Sequence, residues 1–230
     1  MATGSQTDAR ERLARARLYL VVDSTPPGRT LVELLGAAAR GGVDIVQLRE
    51  KHLPDAELTA AARLAQDACA VGEMLFILND RPDIAREVQA DGVHVGQEDM
   101  SPGQARAIVG PDAIVGLSTH APAEVDAADP RIVDYIGVGP VHQTPTKPGR
   151  PAVGTELVRY AAGAARVPFF AIGGLDAGNL HEVLEAGATR ACVLRAIGAA
   201  DDPQTAASEL AVLLADANAD GGAGVPRGGA

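Results

Sequence analysis

The sequence predicts an α/β protein, a single (β/α)₈ TIM barrel with parallel strands and a phosphate-binding face at the carboxyl ends of the strands. Short β-rich apolar runs alternate with Ala-rich helical patterns, and eight such pairs follow one another along the chain. The chain of 230 residues is 47% hydrophobic but only 3% aromatic, and Ala and Gly account for much of its apolar content. Small side chains suit closely packed helix and strand layers better than an aromatic-rich β-sandwich.

The predicted strands are short and regularly spaced. They cover residues 18–23, 43–48, 74–78, 92–95, 113–117, 134–138, 168–172 and 190–194. Alternation with helices indicates a parallel sheet, because parallel neighbours need long crossover connections. Eight units in about 200 residues fit a closed barrel near the lower end of its usual size. A doubly wound open sheet is the alternative that the pattern leaves open.

A helix is predicted after each strand. Six of the helices cover residues 30–40, 55–71, 82–88, 122–127, 154–165 and 203–215, and two more begin near Ser101 and Asp176. Ser101 and Pro102 form a favourable pair for the N-cap and the first helical position. The barrel domain is therefore expected over residues 16–215. Residues 1–15 are polar and charged and residues 216–230 are Gly-rich, so both are predicted to be disordered tails.

The composition limits which binding partners and which cellular compartment are expected for this protein. A net charge of −10 argues against a nucleic-acid surface, which is usually basic. The opening segment has no apolar core of a signal peptide, and no apolar run reaches membrane-spanning length. Cys69 and Cys192 lie in apolar surroundings without metal-type spacing, which predicts buried free thiols. We therefore expect a cytoplasmic protein with small-molecule partners; the sequence specifies no oligomeric state.

Reactive-looking residues cluster just after the predicted strands. These segments are 47–51, 79–81, 96–99, 118–120, 139–149 and 173–174. In a barrel, that face carries the active site, and the separate segments would surround a single mouth. Each segment also has a plainer interpretation. Gln47–Lys51 would be a solvated strand end, Ser118 a helix cap, and Glu50 and Glu98 solvent-facing or paired with Arg. His94 and His120 would be ordinary strand and loop residues.

Lysine usage strengthens the functional interpretation. The chain contains 20 Lys and Arg residues, of which only Lys51 and Lys147 are lysines, and both follow predicted strands. A lysine ammonium is a compact point charge that suits a phosphate oxygen. Both positions therefore indicate an anionic ligand.

Two aspartates follow neighbouring predicted strands. Asp80 and Asp99 would each be a turn or helix cap if taken alone. Together they suggest a Mg²⁺ site, because Mg²⁺ uses one or two carboxylates with waters and substrate phosphates. Gly173-Gly174 and residues 193–197 indicate a second phosphate site built from backbone N–H groups, with tight-turn glycine as the alternative.

Six segments, taken in this order and spacing, resemble the thiamine-phosphate synthase family. The segments read QLREK, LNDR, HVGQED, GLSTH, GPVHQTPTK and AIGG, and the resemblance covers residues 18–205. It implies an Mg²⁺-dependent transferase that joins hydroxymethylpyrimidine diphosphate to a thiazole phosphate. The products would be thiamine phosphate and pyrophosphate.

The resemblance implies roles for the matching residues. The diphosphate substrate would be bound by Gln47, Leu48, Arg49, Glu50, Lys51, Asn79, Ser118 and Lys147. Of these, Arg49, Lys51 and Lys147 would be catalytic, because they neutralise the departing charge. The thiazole phosphate would be bound by Thr144, Pro145, Thr146, Gly174, Leu194 and Arg195, and Mg²⁺ by Asp80 and Asp99.

Two positions depart from the family pattern, and two other functions compete. Arg195 stands where a small residue is common, and His142 where an aromatic residue is frequent.

A thiazole tautomerase of the same barrel family would need no diphosphate clamp or metal pair. A phosphate-ligand sensor without turnover would bind the same ligands and form no product.

Overall fold

The computed structural model describes residues 6–143 and 152–221. The strands are β1 (Leu18–Val22), β2 (Ile45–Leu48), β3 (Leu75–Asn79), β4 (Gly92–Val95), β5 (Ile114–Thr119), β6 (Tyr135–Val138), β7 (Phe169–Ile172) and β8 (Ala191–Val193). All eight correspond to predicted strands, with ends that differ by a few residues.

The strands form a closed parallel barrel in sequence order. Each strand pairs with the next, and β8 closes the barrel by pairing with β1. The prediction of a (β/α)₈ barrel is confirmed, and the open sheet is excluded. In a closed barrel every strand ends at the same rim, so the segments after the strands meet there.

Helices cover the outside of the barrel. They are α1 (Gln6–Arg15), α2 (Leu31–Arg40), α3 (Asp55–Val71), α4 (Pro82–Glu87), α5 (Pro102–Val109), α6 (Pro122–Ala127), α7 (Gly154–Ala164), α8 (Leu180–Glu185), α9 (Arg195–Gly198) and α10 (Pro203–Gly221). Thr30 and Ser101 both form capping boxes at the starts of α2 and α5, which confirms the sequence prediction for Ser101. The short helix α9 was not predicted.

The ends of the chain differ from the predicted tails. Residues 6–15 form α1, whose Ala9 and Leu13 are buried with the inward-facing residues of the barrel. The sequence prediction was wrong there, because two small apolar contacts in a charged segment carry little hydrophobic signal. At the other end, α10 continues to Gly221, past the predicted boundary at 215.

Alternation along each strand separates two apolar clusters. Leu20 and Leu48 pack between the strands and the helices, whereas Tyr19 and Ile45 point into the barrel. Cys69 and Cys192 are buried free thiols, as predicted. Within the described residues, no helix is both long and apolar enough to span a bilayer.

Candidate active site

The carboxyl ends of the strands surround one cavity of about 370 Å³. Seven of the predicted site residues line it: Gln47, Arg49, Asn79, Ser118, Gly174, Leu194 and Arg195. They come from five strand ends (β2, β3, β5, β7 and β8), so the closed barrel brings together residues that are far apart in the sequence. A volume of this size is typical of a small-molecule site.

Lys51, Asp80 and Asp99 form a cluster beside this cavity. Lys51 Nζ lies 2.7 Å from Asp80 Oδ2 and 3.9 Å from Asp99 Oδ1. Asn79, which lines the cavity, donates from Nδ2 to Asp80 Oδ2 at 2.5 Å. The cluster therefore adjoins the cavity through Asn79, with one ammonium group shared by two carboxylates.

Asp80 is held in an unfavourable conformation and environment. Its φ of +61° lies in the left-handed region, which Asp tolerates better than most residues. Its backbone N–H donates to the His94 carbonyl at 2.8 Å, which ties the end of β3 to β4. Burial, with a smaller contribution from Asp99, raises the pKa of Asp80, although Lys51 opposes the shift.

The acidic pair fits the sparse protein ligation of Mg²⁺. Across residues 6–143 and 152–221, no cluster of three or more His, Cys, Asp or Glu side chains has a metal-binding arrangement. Mg²⁺ does not require such a cluster, because it keeps several waters and is held by one or two carboxylates with substrate phosphates. Asp80 and Asp99 supply two carboxylates that are partly exposed, at 19% and 33% of their side-chain surface.

The residues around Arg49 divide between the cavity and the protein interior. Gln47 and Arg49 line the cavity. The side chain of Leu48 is fully buried against the helices, so only its backbone remains for a ligand. Glu50 accepts a hydrogen bond from the Ser24 N–H at 2.5 Å. Of this segment, Gln47, Arg49 and Lys51 are the side chains that face the mouth.

Two glycines shape the far side of the cavity. Gly173 and Gly174 have φ of +112° and +67°, and a Cβ on Gly173 would lie 2.5 Å from Pro140 Cα. The turn therefore requires glycine for its own geometry, as the alternative interpretation held. It also lines the cavity together with Leu194 and Arg195 at the start of α9.

The loop after β6 is only partly described. The predicted site residues Thr144, Pro145, Thr146 and Lys147 lie outside the described residues. Just before them, His142 Nε2 lies 3.6 Å from Glu182 Oε2.

The floor of the cavity carries a hydrogen-bonded chain that sequence reasoning missed. Gln47 Nε2 donates to Tyr19 Oη at 2.8 Å, and the Tyr19 and Tyr135 hydroxyls are 2.8 Å apart. Tyr135 Oη lies 3.0 Å from His94 Nδ1, and His94 Nε2 lies 2.9 Å from Ser118 Oγ. His94 was predicted to lie in the fourth strand, and it does. The sequence feature that could have pointed to this hydrogen-bonded chain is the presence of polar side chains within otherwise apolar strands.

Comparisons with known proteins agree with one another. The family model described as Thiamine monophosphate synthase matches residues 18–197. Thiamine-phosphate synthase from Streptomyces avermitilis is 52% identical over 209 residues, which covers 90% of this chain and 97% of that protein. The corresponding protein from Acidothermus cellulolyticus is 52% identical over 208 residues, covering 89% of this chain and 98% of its own length. Among solved structures, thiamine phosphate pyrophosphorylase from Pyrococcus furiosus is 31% identical to this chain and superposes with a TM-score of 0.80. The match covers 90% of this chain and 98% of that chain.

Proposed function

This chain belongs to the thiamine monophosphate synthase family and is a transferase of thiamine biosynthesis, and from this we propose its substrates, metal and site residues. The substrates are 4-amino-2-methyl-5-hydroxymethylpyrimidine diphosphate and 4-methyl-5-(2-phosphooxyethyl)thiazole, or the carboxylated form of the thiazole. The observation that carries this proposal is the Lys51–Asp80–Asp99 cluster beside a cavity lined by Gln47 and Arg49.

The reaction is a dissociative substitution at the methylene carbon of the pyrimidine. The C–O bond to the diphosphate breaks, and its electron pair leaves with the diphosphate. The aminopyrimidine ring delocalises the resulting cation. The thiazole nitrogen then donates its lone pair to the methylene carbon, which gives thiamine phosphate and pyrophosphate. With a carboxylated thiazole, CO₂ would also leave, and the ring carbon that carried it would take up a proton from solvent.

Diphosphate departure is assigned to the cationic side of the mouth. Arg49, Lys51 and Lys147 neutralise the charge that develops on the leaving group, and Ser118 donates a hydrogen bond to it. Asp80 and Asp99 hold Mg²⁺, which supplies further neutralisation of the leaving oxygens when bound. Lys51, already 2.7 Å from Asp80, holds this carboxylate in place.

The thiazole phosphate is assigned to the opposite side. Gly174, Leu194 and Arg195 line the cavity at the ends of β7 and β8. We assign the backbone N–H groups of Leu194 and Arg195 to the phosphate, with Thr144, Pro145 and Thr146 completing this site. We assign the two rings to the part of the cavity lined by Phe170 and Ile172, between the two anion sites. Alignment and exclusion of water matter most here, because water would otherwise capture the cation.

We place the reaction in the cytoplasm. Both cysteines are buried free thiols, as expected of a reducing compartment.

The direct test mixes the purified protein with both substrates, with Mg²⁺ or with a chelator, and quantifies both products by chromatography. Equal amounts of thiamine phosphate and pyrophosphate, formed only with metal, are expected. Folded protein that binds the thiazole phosphate but forms neither product would contradict the proposal and favour a tautomerase or a sensor.

A further inference from the structure

The hydrogen-bonded chain under the cavity is an unusual feature of the barrel interior. It links Gln47, Tyr19, Tyr135, His94 and Ser118, which belong to five different strands. Buried polar groups stabilise a core no better than apolar groups of the same shape would, and they are costly when unsatisfied. A network of this length across the interior therefore calls for a functional explanation.

The side chains of this hydrogen-bonded chain are closely packed, and the path of the chain depends on the backbone of β5. The rings of Tyr19 and Tyr135 pack edge-on against Phe170, with centroids 5.3 Å and 5.6 Å away. Gly116 leaves the space through which the chain passes, because a Cβ there would overlap the Tyr135 ring and lie 2.5 Å from His94 Nδ1. The contact between Tyr135 and His94 thus depends on a glycine in β5.

The protons of this hydrogen-bonded chain must all point in the same direction along it. Burial raises the pKa of both Tyr19 and Tyr135 well above the ordinary range, so each hydroxyl keeps its single proton. An amide nitrogen only donates, and a neutral imidazole has one N–H and one lone pair. Since Gln47 donates to Tyr19, Tyr19 must donate to Tyr135 and Tyr135 to His94 Nδ1 if no phenolic proton is to be left unpaired.

The two ends of the hydrogen-bonded chain, Gln47 and Ser118, are therefore coupled. In this direction His94 carries its proton on Nε2 and donates to Ser118, whose own proton is left for a ligand. At the other end Gln47 lines the cavity and uses its amide nitrogen on Tyr19, which leaves its carbonyl oxygen, to which no described group donates, for a ligand. In the reverse direction, Ser118 would present a lone pair and Gln47 its NH₂ group. An anion at Ser118 only accepts hydrogen bonds, so it selects the first arrangement.

We propose that Tyr19, Tyr135 and His94 are positioning residues that transmit hydrogen-bond direction between the anion site at Ser118 and the ring site at Gln47. A diphosphate at Ser118 thereby makes Gln47 an acceptor for the exocyclic amine of an aminopyrimidine. A pyrimidine that carries an oxygen in place of the amine would set one acceptor against another, the Gln47 carbonyl oxygen, and is rejected. This inference rests on the proposed function and predicts selectivity for an amino over an oxo ring.

The test measures coupling between two separate ligands. The dissociation constant of the aminopyrimidine alcohol is measured by calorimetry with and without saturating pyrophosphate and Mg²⁺, and the oxo counterpart is measured in the same way. Wild-type protein should bind the amino ring roughly tenfold more tightly when pyrophosphate is present, a typical size for coupled sites. Binding of the oxo ring should not strengthen.

Tyr135→Phe cuts the chain and keeps the ring packing. It should abolish the tenfold coupling while each ligand alone still binds. The matched control is Tyr160→Phe, which removes a hydroxyl bonded to Asp126 on the surface, and it should keep the full coupling. If Tyr135→Phe does not fold, Tyr19→Phe interrupts the same chain, with the same expected result.

The outcomes separate this inference from the proposed function. Unchanged coupling in a folded Tyr135→Phe or Tyr19→Phe protein would overturn the inference, because a residue that only packs the floor would weaken affinities without uncoupling them. Equal effects of pyrophosphate on the amino and oxo rings in wild-type protein would also overturn it. Failure of pyrophosphate to bind wild-type protein at all would instead count against the proposed diphosphate site.

Discussion

At the amino-terminal end of the barrel one carboxylate lies between two guanidinium groups, whereas at the carboxyl end one ammonium group lies between two carboxylates. Asp134 accepts from Arg10 Nε at 2.8 Å, from Arg106 Nη2 at 2.6 Å and from the Val115 N–H at 2.8 Å. Lys51, in contrast, is shared by Asp80 and Asp99. One carboxylate thus has two cationic partners at the first end, whereas two carboxylates share one ammonium group in the cluster at the other.

The two clusters differ in what they contribute: the Asp134 cluster contributes to stability, and the Lys51–Asp80–Asp99 cluster to function. A carboxylate with several charge-assisted donors stabilises the folded state, and Asp134 ties α1 and α5 to the start of β6. Burial, with a smaller contribution from Asp99, raises the pKa of Asp80, so the folded protein disfavours the ionised form of this carboxyl group. Such an arrangement gains most from a cationic ligand, which is why perturbed groups of this kind concentrate at functional sites.

The largest expected effect is on turnover, at the carboxyl end. Asp80→Ala and Asp99→Ala should each reduce kcat by roughly a hundredfold or more, because transition-state charge stabilisation by a bound metal is worth several kcal/mol. The measurement is steady-state product formation under limiting Mg²⁺, with circular dichroism to verify the fold. Asp129→Ala, which removes a surface partner of Arg131, is the control. Near-normal rates in the folded variants would contradict the metal assignment.

The next effect is on stability, at the amino-terminal end. Asp134→Asn should lower the free energy of unfolding by about 3 kcal/mol, because it leaves the largely buried guanidinium group of Arg106 without its carboxylate. Urea denaturation measures this loss, and kcat of the folded protein should stay within about twofold of wild type. A large loss of kcat at unchanged stability would break the comparison between the two ends.

A smaller effect is expected at Arg195, a cation that follows β8, whereas Lys51 follows β2. In the described part of the chain Arg195 forms no ion pair, although it lines the cavity. Arg195→Ser should raise KM for the thiazole phosphate about fivefold at low salt, since one exposed charge contact is worth about 1 kcal/mol, and leave kcat little changed. An unchanged KM would mean that only the backbone of this residue takes part.

The smallest effect concerns the pH dependence of stability. Because the folded-state pKa of Asp80 is raised, its ionisation opposes folding above its ordinary pKa and has no such effect when the carboxyl is protonated in both states. Asp80→Asn should therefore be slightly more stable than wild type at pH 7. The difference should disappear as the pH falls toward the ordinary pKa of Asp, near 4. Thermal melts at several pH values test this, and a variant less stable at pH 7 would refute the sign.

The sequence by itself determined the barrel and most of the mouth. Eight alternating apolar runs specify parallel strands, and parallel strands place the segments after their carboxyl ends on one face. This local periodicity was sufficient to bring Gln47, Asn79 and Ser118 to one cavity. Their roles in binding came from the family resemblance rather than from the strand pattern.

Only the tertiary structure decided how the interior and the ends are built. Helix α1 is stabilised by contacts with the barrel, including Arg10 with Asp134, and not by its own sequence pattern. Likewise, Tyr19, Tyr135 and His94 join into one chain because closure of the barrel brings their strands across from one another. Hydrogen bonds between residues 41 and 116 positions apart have no local signature, so the sequence alone does not reveal them.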